Sequence, residues 1–62
     1  MREVSEMERD ELFLYVEALI KQKGFYSASE TWRQTASRIE KQDPEFAQYL
    51  CRAEEHWDEL NY

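Results

Sequence analysis

Between Leu12 and Ile20 apolar residues return every three or four positions: Leu12, Phe13, Tyr15, Val16, Leu19 and Ile20. At about 100° per residue they fall within an arc of about 160°, the width of a core-facing helical stripe. A second stripe runs through Ala28, Trp32, Ala36 and Ile39, with Thr35 at its edge. The third is the most regular: Phe46, Leu50, Ala53, Trp57 and Leu60 repeat at alternating steps of four and three, flanked by Tyr49.

Start and stop signals divide the chain at matching places. Ser5-Glu6-Met7-Glu8 and Ser27-Ala28-Ser29-Glu30 have the form of capping boxes, in which the serine oxygen and the glutamate satisfy each other's free amides. Asp43-Pro44-Glu45 sets an Asp cap before a proline, which suits the first helical position. Gly24 is a stop, because glycine enters the left-handed conformation most cheaply. These signals predict an all-α domain spanning residues 1–62, a small three-helix bundle with helices over 6–23, 28–41 and 44–61. Short connections make successive helices antiparallel neighbours, with Phe25 and Tyr26 folded back over the core and Trp32 meeting Trp57. The alternative is a hairpin that completes its core by dimerisation.

Size sharpens that alternative. A chain of 62 residues buries only about 60% of its unfolded surface. Intrachain disulfides are excluded because Cys51 is the single cysteine. Nine aromatic residues supply the core instead, each able to bury roughly 150–250 Å². The first residues lack the apolar core of a signal peptide. The longest apolar run, Leu12 to Val16, is far short of the roughly 20 residues needed to span a bilayer. A cytoplasmic location without membrane contact is therefore expected.

Charge narrows the partners. Fourteen acids against eight bases give a net charge of −6, which opposes direct binding to nucleic acid or an anionic membrane. Residues 45–62 carry five of the acids against Arg52 alone. Within that helix Glu54, Glu55, Asp58 and Glu59 share an outer side with Cys51 and Tyr62. As acid–base catalysts they lack a pocket to separate their pKa values, and as metal ligands they lack a converging histidine. His56 lies on a different side from Cys51, so no Cys–His pair is expected and Cys51 reads as a partly buried small side chain. Arg33, Arg38 and Lys41 make one basic spot on the second helix. A helix-turn-helix reader pivoting on Gly24 would need buried residues at Glu30 and Arg33, which are charged. The chain also lacks the 34-residue period of tetratricopeptide arrays.

Met7, Leu14 and Ala18 lie almost opposite the core stripe of the first helix. They form a second apolar strip for a partner or for another copy of the chain. No catalytic residue, cofactor or metal site emerges. The expectation is a non-enzymatic regulator or inhibitor of the bacterial or phage type, which binds and occludes a protein with a basic surface. Met7, Leu14 and Ala18 would give contact area; Glu54, Glu55, Asp58 and Glu59 would steer. A nucleic-acid mimic filling a basic groove and a homodimeric or larger structural assembly are the alternatives.

Overall fold

The computed structural model describes residues 2–61. They form a 3-10 turn at Val4–Glu6, then helices α1 (Arg9–Gln22), α2 (Trp32–Ile39) and α3 (Pro44–Leu60). The architecture is the expected all-α three-helix bundle. Helix α3 is its spine: α1, α2 and the N-terminal turn all pack on it. Leu12, Val16 and Ile20 of α1, Trp32, Ala36 and Ile39 of α2, and Phe46, Tyr49, Leu50 and Ala53 of α3 form the buried core. Their spacing is the predicted one. Tyr62 lies outside the described residues, so its place beside Cys51 is not described.

Gly24 ends α1 at φ +77°. The Phe25 N–H donates to the Ile20 carbonyl and the Gly24 N–H to the Lys21 carbonyl, the paired closure of a Schellman turn. That turn aims Phe25 inward, where its ring lies 6.2 Å from that of Phe46. Tyr26 stays on the surface, 47% exposed. Asp43 caps α3 by accepting from the Phe46 N–H at 3.1 Å, with Pro44 at the first helical position.

Two helix starts differ from the predicted ones, each for a physical reason. Ser5 sits inside the 3-10 turn, and α1 begins only after Glu8, which makes no side-chain cap. The break is at Met7, whose backbone is extended (φ −96°, ψ 144°). A helix continuing back to residue 6 would point Met7 away from the core. Breaking it lets Val4 and Met7 both bury, each to 2% exposure. The resulting strap is tied down by polar contacts. Tyr49 Oη donates to the Arg2 carbonyl at 2.8 Å, the Arg2 N–H donates to Tyr15 Oη, and His56 Nε2 donates to the Met7 carbonyl at 3.0 Å.

The second start shifts from Ser27 to Thr31. Glu30, expected to return to Ser27, is engaged elsewhere: its carboxylate accepts from Arg38 Nε and from Thr35 Oγ1. The next candidates take over. Thr31 Oγ1 accepts from the Gln34 N–H while Gln34 Oε1 accepts from the Thr31 N–H, a complete capping box one turn later. Ala28 consequently lies outside α2 and is exposed, so it is no part of the core. Arg38 also donates to the Phe25 carbonyl, tying the α1–α2 connection to α2.

Candidate functional site

Helix α1 touches α3 but makes little contact with α2. The gap between α1 and α2 is closed at one end by aromatic rings. Phe13 lies 6.2 Å from Trp32 and 5.6 Å from Trp57, and the two indoles meet edge-on at 5.8 Å. Trp32 is buried, Trp57 half-buried and Phe13 40% exposed. The tryptophans meet as expected, but Phe13 lies at the rim of the core. Leu60, also assigned to the core by its spacing, is 38% exposed.

Beside this aromatic plug stands Leu14, 69% exposed. Leu14, Phe13, Trp57, Arg9 and Asp10 line an open cleft of about 490 Å³. A smaller recess of about 210 Å³ continues on the other side of Phe13, between Glu17, Trp32, Glu54 and Trp57. Asp10, Phe13, Leu14 and Glu17 recur at helical spacing and share one face of α1. The face thus has an apolar centre between two carboxylates. Neither Asp10 nor Glu17 has a Lys or Arg partner among the described residues. Arg9 instead lies over the Trp57 ring, 5.7 Å from its centroid, where it holds the indole and leaves the carboxylates uncovered.

Of the expected apolar strip, Leu14 and Ala18 are exposed and one turn apart. Met7 is not on that strip: the extended break before α1 turns it into the core. The companions of Leu14 are the exposed Phe13 and the half-buried Trp57, both of which lie on apolar stripes predicted to face the core. The signal in the sequence is the crowding of two tryptophans and a phenylalanine onto the apolar stripes of a 62-residue chain.

The four acids of α3 separate in the same way. Glu54 leans toward α2, where its carboxylate accepts from the Arg33 N–H at 3.2 Å and pairs with the Arg33 guanidinium at 3.4 Å. A carboxylate from α3 thus satisfies a free amide in the first turn of α2 and complements its dipole. Asp58 reaches the same guanidinium at 3.6 Å. Glu59 lies 3.8 Å from His56 Nδ1 and is otherwise open, and Glu55 is exposed. Two of the four acids therefore hold α2 to α3, and two face outward.

Cys51 is exposed, where a partly buried side chain was expected. His56 is half-buried on the N-terminal strap. Among the described residues no cluster of His, Cys, Asp or Glu could hold a metal ion, and no helix is long and apolar enough to cross a membrane. Comparisons with protein-family models, curated proteins and solved structures give no match to this chain.

Proposed function

We propose that this chain is a small, non-catalytic protein-binding module, which regulates or inhibits its partner by occluding part of that partner's surface. The contact centre is Phe13, Leu14 and Trp57, with Ala18 extending it along α1 and Asp10 and Glu17 at its edge. One observation carries this reading. Leu14 is 69% exposed and Phe13 40% exposed beside a half-buried Trp57, although the core residues Leu12, Val16 and Leu50 are fully enclosed. Isolated surface leucines need no explanation, but a leucine continuous with two aromatic rings forms a patch. Aromatic anchors of this kind carry most of the energy in protein interfaces.

The partner is expected to insert an apolar side chain into the 490 Å³ cleft and to present Lys or Arg toward Asp10 and Glu17, the carboxylates of that face. Of the four α3 acids expected to steer, Glu54 and Asp58 are held by Arg33, and Glu55 and Glu59 lie about 200° around α3 from Trp57. A basic partner would be steered by the net charge of −6. The setting is cytoplasmic.

The test is capture of partners from the source cell with the parent and with Leu14→Glu in parallel, followed by titration of the purified partner. A protein held by the parent, released by rising salt and not retained by Leu14→Glu supports the reading. Sedimentation separates the homodimeric alternative: a parent at twice the chain mass, returned to monomer by Leu14→Glu, would assign the face to a second copy.

A further inference from the structure

The side of the α2–α3 pair that does not touch α1 carries a second surface. Positions 33, 36, 37, 40 and 41 of α2 and the positions just beyond it, and positions 44, 47, 48, 51 and 52 of α3, line one open groove of about 750 Å³. The two sets have the same helical spacing, so each side offers a full stripe to the same space. Among the described residues, nothing from α1 or the N-terminal strap enters it. The floor is small: Ala36 and Ala47 are buried, and Ser37 and Cys51 stand beside them. The rim is charged, with Lys41 and Arg52 against Glu40, and with Arg33, whose guanidinium is held by Glu54 and Asp58.

Its charge is opposite to that of the molecule. Four bases have no carboxylate partner among the described residues: Arg9, Lys21, Lys41 and Arg52. Arg9 and Lys21 lie over Trp57 and Tyr26 on the α1 side. Lys41 and Arg52 stand at this groove, Arg52 with its guanidinium also 6.0 Å from the centroid of the Tyr49 ring. Charges more than about 8 Å away are largely screened at physiological salt, so a seated occupant meets Lys41, Arg52 and Glu40 more strongly than the distant acids.

We infer that this groove docks an acidic amphipathic helix of a partner protein, at a surface separate from the Phe13–Leu14–Trp57 face. Small floor residues allow helix backbones to approach closely, and a helix laid between α2 and α3 completes a fourth position around α3. The eight residues of α2 give a contact of about 12 Å, or about two turns of the incoming helix. Alanine or leucine on its inner face would meet Ala36 and Ala47. Glutamates at its flanks would meet Lys41 and Arg52. With both faces filled, the chain would bridge a basic and an acidic partner.

The experiment uses two synthetic helical peptides of about five turns, with the same Ala/Leu stripe and either Glu or Lys flanks. Each is titrated into the full ¹⁵N-labelled chain. The Glu-flanked peptide should give saturable amide shifts at Ser37, Lys41, Gln48, Cys51 and Arg52, and should slow alkylation of Cys51 by iodoacetamide. Lys41→Glu with Arg52→Glu should weaken it by roughly tenfold or more through lost charge complementarity. Ser37→Trp, which fills the groove from an exposed position, should weaken it without touching the rim charges. Leu14→Glu should leave it unchanged. Equal binding of the Lys-flanked peptide, shifts centred on Phe13 and Trp57, or no saturable shift in the groove would overturn the inference. So would single-stranded oligonucleotide or inorganic phosphate shifting the same amides as strongly as the peptide, which would make the groove a general anion site.

Discussion

Met7 and Leu14 share one face of an uninterrupted first helix, and the structure gives them opposite burdens. Met7 is 2% exposed and Leu14 69% exposed. Met7→Ala removes a fully enclosed side chain, and buried Met→Ala changes cost about 2–5 kcal/mol. Leu14→Ala gives up about a third of a burial worth roughly 1.5–3 kcal/mol when complete, so it should cost below about 1 kcal/mol. For a chain of this length total stability is of order 3–9 kcal/mol, at about 0.05–0.15 kcal/mol per residue. Met7→Ala therefore consumes a large share of it. The assay is urea unfolding followed by helical circular dichroism. With a slope near 1 kcal/mol per M for so small a domain, Met7→Ala should lower the midpoint by about 2 M or more. Leu14→Ala should move it by less than about 1 M. Native-state exchange in Met7→Ala should accelerate first at the amides of the strap, since its anchor is gone. Equal midpoint shifts for the two variants, or the larger shift for Leu14→Ala, would refute the break in the helix before Arg9.

Thr31→Ala should cost about 1 kcal/mol because it removes a working cap, whereas Ser27→Ala should be near neutral; thermal melts of the two distinguish the capping boxes directly. Gly24→Ala meets no atom within 4 Å of the added Cβ, so its penalty is conformational, about 1–2 kcal/mol for a non-glycine residue held at φ +77°, and melting should show it without loss of helical signal. The Asp43 carboxyl lies below its ordinary pKa because it accepts from the Phe46 N–H and pairs with Lys23, and the Glu30 carboxyl is lowered by Arg38 and Thr35. Both contributions are fully present above the unfolded carboxylate values and fade as pH falls through the folded ones. Melts below about pH 4 should decline, less steeply in Asp43→Asn. On the alkaline side, burial pushes the Tyr49 hydroxyl up to about 12. Its contribution is complete below the unfolded tyrosine value near 10 and is lost as pH rises toward 12, and Tyr49→Phe should flatten that loss.

Sequence periodicity locates all three helices and most of the core, because each apolar stripe is long enough to outvote its neighbours. Helix α3 matches its predicted span almost to the residue, since Asp43 and Pro44 permit few other starts. The starts of α1 and α2 could not be read locally. Glu30 has the right position to cap Ser27, but Arg38, eight residues on, takes its carboxylate, and this competition appears only when α2 folds back on its own entry turn. Met7 has the right position for an exposed strip, but the core has room for it beside Val4 and His56. The candidate face was half legible. Leu14 stands out on a helical projection, while Phe13 and Trp57 look like core until three aromatic rings compete for the same end of the bundle. The acids of α3 look alike in sequence, and only Arg33 on the facing helix separates Glu54 and Asp58 from Glu55 and Glu59.

The central claim is that binding runs through the Leu14 face. The most direct measurement is the affinity of a captured partner for the parent and for Leu14→Glu, by calorimetry, with urea midpoints taken on the same samples. The account predicts a loss of roughly tenfold or more, as expected for burying an unpaired carboxylate in an apolar contact, with the midpoint lowered by less than about 1 M because Leu14 contributes little to the fold. An unchanged affinity in a variant that still unfolds within about 1 M of the parent would contradict it.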